Sequence, residues 1–257
     1  MKVCTIISSD KGGVGKTEIA ALLIAARDRL GGRPAAIEID HQMKLKSVLG
    51  GRVDLSLRAC AELTKVYSHQ TSVGRHYDPV FDLWSSGESI TDLGANVTTP
   101  FFEWARDCGI ASLCRQDGIR HRFVSVASPD SQALRAAYSA LREASAVFDP
   151  VELYFIENDT VGGSGFQPYV GTTAYRQIET LETSFGCTRI RIPNCKSKLV
   201  EFGRARSMTP LAVLDRIEAV ENALRLTKVE RAAERLIFLE WLSDVQTALA
   251  PLMMMES

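Results

Sequence analysis

A short segment near the start of the chain combines three glycines with two lysines and a threonine. Glycine lets backbone N–H groups surround an anion, because no Cβ blocks the approach. A lysine after the last glycine can reach the β- and γ-phosphates of a nucleotide, and the next hydroxyl can ligate Mg²⁺. A glycine-rich surface turn is the alternative. The segment predicts a loop that binds the phosphates of a nucleotide with Mg²⁺, and its residues are Lys11-Gly12-Gly13-Val14-Gly15-Lys16-Thr17, followed by Glu18.

Three aspartates could complete such a site, because each lies in or after a short strand-like run. They are Asp40 at the end of residues 35–40, Asp92 within residues 89–92, and Asp159 shortly after residues 152–156. A carboxylate at a strand end can orient a water molecule or hold a hydrated cation, or it can simply cap a turn. The run before Asp159 is the more apolar, so the strand pattern alone favours Asp159 over Asp92 as the cation-holding residue.

The residues around the glycine segment predict the elements that position it. Residues 3–7 are short, apolar and rich in β-branched side chains, as in a buried strand. Residues 18–30 are rich in Ala and Leu and stop at two glycines, which predicts a helix. Residues 35–40 predict a second strand. Strand, loop, helix and strand in this order form the βαβ unit of a parallel sheet.

The remaining chain continues the alternation of strands and helices. Strands are predicted at residues 123–127, 152–156 and 188–192, with a strand tip at 89–92, and helices at 79–84, 100–114 (broken near Gly109), 130–147 and 172–185. Residues 55–66 predict a helix, residues 68–77 a loop, and the chain from Pro210 is predicted to be helical almost to its end. We expect one α/β domain over residues 1–257, with a doubly wound, mostly parallel sheet, helices on both faces, and a helical C-terminal region at about 210–250.

The glycine segment resembles the deviant Walker A motif of the ParA/MinD family of P-loop ATPases. Where a standard phosphate loop has its first glycine, this chain has Asp10, and Lys11 follows it. In the family, that extra lysine reaches the partner's phosphates across a dimer that sandwiches two nucleotides. The resemblance therefore implies an ATP-driven homodimer, with Lys11, Lys16 and Asp40 as its catalytic residues.

The same resemblance assigns the acidic residues. ParA-like proteins carry D-x-D-P-Q at the second strand, where the second Asp helps to place the attacking water. Asp40 matches that Asp, Glu38 replaces the first Asp, and His41 replaces the Pro. The D-x-G-A string at Asp92 resembles a Walker B motif, so the resemblance favours Asp92 over Asp159. The implied Mg²⁺ site is formed by Thr17, Asp40 and Asp92.

Further strings place the base and suggest a branch of the family. Asn158 matches the asparagine that reads the purine edge, and Pro193 falls where backbone flanks the base. The chain is similar to the plasmid StbB and conjugal-transfer TraL proteins in D-x-G-A, in the long helical end, and in Phe101-Phe102-x-Trp104, Ile190-x-Ile192-Pro193 and Met208-Thr209-Pro210-Leu211.

The composition limits the classes of partner. Lys plus Arg is 30 against 31 for Asp plus Glu, so DNA contact would need a local patch. Six arginines late in the chain offer one, or form a solvated face with nearby glutamates: Arg204, Arg206, Arg216, Arg225, Arg231 and Arg235, with Glu218, Glu221, Glu230 and Glu234. The six cysteines form no C-x-x-C pair, which argues against zinc and iron–sulfur sites.

The sequence predicts a cytoplasmic protein without a membrane span. The opening apolar run is too short for a signal peptide, and no segment approaches the roughly 20 apolar residues of a spanning helix. A late apolar stripe is expected to pack in the core rather than bind lipid, since its polar face mixes Glu and Arg. The stripe consists of Ala233, Leu236, Ile237, Trp241, Leu242 and Val245.

The sequence is compatible with three functional hypotheses. The first is an ATP-switched dimer that positions plasmid DNA or a transfer complex, through a protein partner or direct DNA contact. The second is a metabolic or maturation ATPase, for which we find no additional catalytic groups in the sequence. The third is a regulatory adaptor that binds nucleotide and scarcely hydrolyses it, which the replacements at Glu38 and His41 keep open.

Overall fold

The computed structural model describes residues 2–58 and 70–253. Its strands within these ranges form a single seven-stranded sheet in the order β3-β2-β4-β1-β5-β6-β7, and all recorded pairings are parallel. The strands are β1 (Lys2–Ser8), β2 (Ala35–Ile39), β3 (Leu55–Leu57), β4 (Ser89–Leu93), β5 (Ile119–Ala127), β6 (Val151–Asn158) and β7 (Thr188–Ile192). The expected doubly wound α/β fold is confirmed.

Helices cover both faces of the sheet. They are α1 (Lys16–Arg29), α2 (Lys44–Leu49), α3 (Gln70–Ser86), α4 (Thr98–Asp107), α5 (Ile110–Gln116), α6 (Ser131–Val147), α7 (Thr173–Phe185), α8 (Lys198–Ala205), α9 (Pro210–Asp215), α10 (Ile217–Ala223) and α11 (Lys228–Met253). Helices α1 and α11 pack together on one face, and α3 to α7 lie on the other.

The strand order changes direction at the centre of the sheet: the chain leaves β1 toward β2 and leaves β5 toward β6, in opposite directions. Beyond the carboxyl ends of β1 and β5 there is therefore a crevice where ligands of such sheets bind.

An aromatic cluster fills the layer between the sheet and helices α3 and α4. Trp84 packs edge-on against Phe101 and Trp104, with ring centroids 5.9 and 6.1 Å apart. The ring centroid of Phe102 lies 5.5 Å from that of Phe123 on β5. These side chains are almost completely buried, and they fix the two helices behind the central strands.

Two predictions for the middle of the chain are wrong. Residues 55–57 form the short strand β3 beside β2 instead of starting a helix. The part of that prediction at residues 59–66 lies outside the described residues. Residues 70–77, expected as a loop, belong to helix α3, which also contains Pro79. Tyr77, Val80 and Trp84 are buried at helical spacing and anchor α3 to the aromatic cluster.

The strand tip predicted at residues 89–92 is a complete interior strand. All five residues of β4 are buried between β1 and β2. Its polar side chains are accommodated locally, as where the Trp84 indole N–H donates to Thr91 Oγ1 over 3.1 Å. Sequence alone underrates this strand because Ser89, Thr91 and Asp92 are polar although all three are buried.

The apolar stripe predicted on the last helix is only partly buried. Trp241, Leu242 and Val245 are core residues as expected, but Ala233, Leu236 and Ile237 are exposed. The buried side of α11 continues instead through Phe238, Leu249 and Leu252. None of the described helices is long and apolar enough to cross a membrane.

The late arginines have varied partners. Arg235 forms an ion pair with buried Glu221, as the reading of a paired face expected. Arg231 donates to the Leu226 carbonyl over 3.0 Å, and Arg206 lies 3.6 Å above the Phe202 ring.

Candidate functional site

The glycine loop joins β1 to α1 at the crevice. Gly13 and Gly15 have φ values of 79° and 95°, in the left-handed region that favours glycine. A Cβ at Gly15 would overlap the Asn158 side chain, whereas one at Gly12 or Gly13 would meet open space. The loop is therefore packed against the protein on one side and open on the other, as a cradle for phosphate requires.

Lys16, the first residue of α1, is buried at the base of this loop. Its ammonium donates to the Lys11 carbonyl over 3.1 Å, which folds the loop around the lysine side chain. Burial lowers the pKa of Lys16, and the nearby carboxylates of Asp92 and Asp40 oppose that shift. Because burying a charge is costly unless it is paired, the buried Lys16 ammonium favours an anionic ligand.

Asp92 lies on β4, level with Ile7 of β1 and Glu38 of β2. Burial raises the pKa of Asp92 to about 7, although a hydrogen bond with Thr17 and the charge of Lys16 lower it. Its Oδ1 atom is buried and has no hydrogen-bond partner among the described residues. An unpartnered carboxylate oxygen beside a threonine hydroxyl fits the oxygen ligands of hydrated Mg²⁺.

Asp40 follows β2 and borders a cleft of about 440 Å³. The Asp40 N–H donates to the Leu57 carbonyl over 3.1 Å, and the Gly94 N–H donates to the Ile39 carbonyl over 2.8 Å. A Cβ at Gly94 would lie 2.7 Å from Asp40 Cγ, so the glycine makes room for this carboxylate. The cleft brings together Gly12, Gly13, Gly15, Lys16, Thr17, Glu18, Asp40, His41, Gln42, Lys44, Gly94, Ala95 and Asn96.

Lys11 and Glu18 interact with neighbouring helices. The Lys11 ammonium donates to Gln132 Oε1 on α6 over 2.8 Å. The Glu18 carboxylate accepts from Arg204 of α8 at 3.1 to 3.2 Å. Lys11 is thus held beside the loop, and Glu18 is neutralised by an arginine for which the sequence offered no positional signal.

The two candidates for the cation-holding carboxylate lie in different surroundings. Asp159 Oδ1 accepts the N–H groups of Val161 and Gly162, at 3.2 and 2.7 Å, within its own loop. Asp92 Oδ1 is instead buried without a hydrogen-bond partner among the described residues, and the side chain interacts with Thr17 and Lys16. These surroundings suit Asp92, the choice implied by the family resemblance, and the assignment stays a prediction.

Asn158 and Pro193, predicted to flank a base, lie at the ends of β6 and β7. The Asn158 amide donates to the Val14 carbonyl over 2.9 Å, so it also braces the glycine loop. The Pro193 carbonyl accepts from the Trp241 indole over 2.8 Å, which ties the segment after β7 to α11.

Glu38 has a different role from that of a cleft carboxylate. It is fully buried and accepts the Leu45 N–H over 2.6 Å, the Lys46 N–H over 3.3 Å and the Ser56 hydroxyl over 2.9 Å. The side chain therefore anchors the start of α2 to the sheet.

Comparisons with known proteins place this arrangement in a family. Three solved structures are similar to the chain at low identity. The MinC:MinD cell division complex of Aquifex aeolicus matches at 16% identity with a TM-score of 0.47, over 87% of this chain and 96% of that one. Cyanothece McdA matches at 15% identity with a TM-score of 0.48, both in its apo form (86% of this chain and 98% of that one) and as an Asp-to-Ala variant with ATP (88% and 97%). No curated protein sequence matches. The model of the CobQ/CobB/MinD/ParA nucleotide binding domain matches residues 5–250. The chain therefore belongs to the CobQ/CobB/MinD/ParA family of nucleotide-binding domains.

Proposed function

We propose that this chain is an ATPase that binds ATP with Mg²⁺, dimerises around the nucleotide and acts as a molecular switch. The observation that supports this best is the convergence of Lys16, Thr17 and Asp40 at one cleft beside an open glycine loop, with buried Asp92 interacting with Lys16 and Thr17. The chemistry assigned here is phosphoryl transfer to water, in which positioning and charge do most of the catalytic work.

Each residue of the proposed site has a defined role. Lys16 and the loop N–H groups bind the β- and γ-phosphates, and Asn158 and Pro193 flank the base. Thr17, Asp92 and Asp40 would hold the hydrated cation, which would offset charge on the phosphates. Asp40 also orients the attacking water, and Lys11 offsets charge at the partner's phosphates across the dimer.

We place the function in plasmid stability, partition or conjugal DNA transfer, carried out in the cytoplasm by one domain spanning residues 1–257. The support is the similarity to the StbB and TraL strings, such as Phe101-Phe102-x-Trp104. A protein partner that stimulates hydrolysis, and DNA contact directly or through that partner, belong to this proposal.

A second candidate is a nucleotide-dependent adaptor with little hydrolysis. It is favoured by Glu38, which stands at the first carboxylate of the family motif but is engaged by the α2 backbone. ATP turnover measured with and without DNA separates the two. Turnover that rises with DNA supports the switch, and turnover absent under both conditions supports the adaptor.

The nucleotide site is tested by calorimetry with ATP on the intact protein and on Lys16→Ala. We expect the variant to lose measurable binding, because it loses the ammonium that faces the phosphates. Lys46→Ala is the matched control, since Lys46 is an exposed lysine outside the cleft. Unchanged ATP affinity in Lys16→Ala would exclude the proposed site.

The dimer is tested by light scattering with ATP on the Asp40→Ala protein, in which slow hydrolysis should keep ATP bound. We expect a dimer there and a monomer with bound ATP in Asp40→Ala/Lys11→Ala. A monomer in both proteins would refute the ATP-driven dimer. A dimer in both would remove Lys11 from it.

A further inference from the structure

A second lysine borders the phosphate cleft, on the segment that follows Asp40. Lys44 is the first residue of α2, and it lines the cleft together with Asp40, Gly94 and Asn96. Lys16 enters from the loop side. The two lysines therefore come from different segments of the chain and line the same cleft.

The stability of α2 does not account for this placement. The N-terminal end of a helix carries partial positive charge, which disfavours a cation there. Met43, just before Lys44, has φ 49° and ψ 44°, a left-handed conformation uncommon for a residue with a side chain. A strained backbone that directs a lysine into a cleft is more characteristic of a functional site than of a helix cap.

Glu38 holds Lys44 in place through the backbone. Its buried carboxylate accepts the N–H groups of Leu45 and Lys46, the two residues that follow Lys44. This carboxylate also offsets the positive end of the helix. The first turn of α2 is thereby fixed to β2, the strand that also ends at Asp40.

The charges of the cleft leave a role for this ammonium. In the described part of the chain, the Lys, Asp and Glu residues that line the cleft are Lys16, Glu18, Asp40 and Lys44. Glu18 is paired with Arg204, so Asp40 is the acidic residue of this set that remains to balance the two lysines. A nucleoside triphosphate carries more negative charge than a diphosphate, and the additional charge lies on its terminal phosphate.

We propose, resting on the nucleotide-binding function proposed above, that Lys44 binds the terminal phosphate of a nucleoside triphosphate. It thereby makes the protein prefer the triphosphate to the diphosphate. Lys44 comes from the Asp40 side of the cleft, where the attacking water is placed, and the glycine loop surrounds the inner phosphates. In agreement, the charge of Lys44 is one of the causes, after burial, that lower the pKa of Lys16, so the two ammonium groups are close enough to interact.

The test compares two nucleotides in calorimetry: ADP and the slowly hydrolysed triphosphate analogue AMP-PNP, each with Mg²⁺. We expect Lys44→Ala to weaken AMP-PNP binding about tenfold, equivalent to about 1.4 kcal/mol, and to change ADP binding less than about twofold. Lys44→Arg should retain most of the preference, because it keeps the charge. Lys46→Ala, on the same helix, should behave as the unmodified protein.

Equal weakening of both nucleotides, or of neither, would overturn the role of Lys44. So would loss of the preference in Lys46→Ala, since that would reflect a general effect of charge or of α2. An unmodified protein that binds neither nucleotide would refute the proposed function itself, and the role of Lys44 with it. The two failures are therefore distinguishable.

Discussion

His121 should make the folded protein sensitive to mild acid. It lies on β5, 4% exposed, with its ring 4.5 Å from Phe148 and 5.5 Å from Trp84 between centroids. Its Nε2 atom has no hydrogen-bond partner among the described residues. Burial lowers the pKa of His121 from 6.5 to about 4, because the charged ring would lose its hydration among aromatic neighbours.

The size of the effect follows from this difference in pKa. Below pH 6.5 the unfolded chain binds a proton at His121, and the folded chain does not until about pH 4. Stability from this residue is therefore intact above pH 6.5 and decreases as the pH falls toward 4. Each pKa unit corresponds to about 1.36 kcal/mol, so at pH 5 the folded state should have lost about 2 kcal/mol.

The assay is urea unfolding at pH 7.5 and pH 5 on the unmodified protein and on His121→Phe, which keeps an aromatic ring in the cluster and removes the titration. Between pH 7.5 and pH 5, the free energy of unfolding of the unmodified protein should fall by about 2 kcal/mol more than that of His121→Phe. Other titrating groups cancel in this comparison, and His41→Gln, at an exposed position, is the matched control. Parallel losses in the unmodified protein and His121→Phe would show that His121 is not held neutral in the fold.

Three further predictions concern the cleft. Asp92→Ala should weaken the Mg²⁺ dependence of ATP binding, measured by calorimetry at varied Mg²⁺, whereas Asp159→Ala should not; the reverse would move the cation site to the β6 end. Asp40→Ala should still bind ATP, because Lys16 and the loop N–H groups remain, and should slow single-turnover hydrolysis at least tenfold; an unchanged rate would exclude Asp40 as the residue that orients water. Gly94→Ala should also slow hydrolysis, because its Cβ would displace Asp40, whereas Gly87→Ala, where a Cβ meets open space, should not.

Much of the fold follows from local sequence patterns. Residues 188–192 form the predicted strand, and residues 130–147 form the predicted helix with Asp130 as its cap, accepting the N–H groups of Gln132 and Ala133. Long periodic segments and turn residues carry enough local information for such predictions. The glycine loop belongs to the same class, because its conformation requires glycine at particular positions.

The errors arise where tertiary contacts decide the structure. Three-residue β3 is too short to show alternation, and it is a strand because β2 offers a free edge. The polar start of α3 has no helical signal of its own, and the helix is stabilised by Tyr77 and Trp84 in the aromatic cluster. In α11, Leu236 and Phe238 are both apolar, and the packing of the whole helix determines which one is buried.

Glu38 illustrates what a comparison of motifs leaves out. By residue type it is a departure from the D-x-D pattern, which suggests a weakened site. Its longer side chain, however, reaches the N–H groups of Leu45 and Lys46, and this reach determines where α2 begins. Asp92 lies level with it on the neighbouring strand, and the charge of Glu38 contributes to the raised pKa of Asp92. Glu38 therefore affects two parts of the site: its contacts anchor the turn that carries Lys44, and its charge, which an Asp would share, increases the cost of leaving Asp92 charged without a cation.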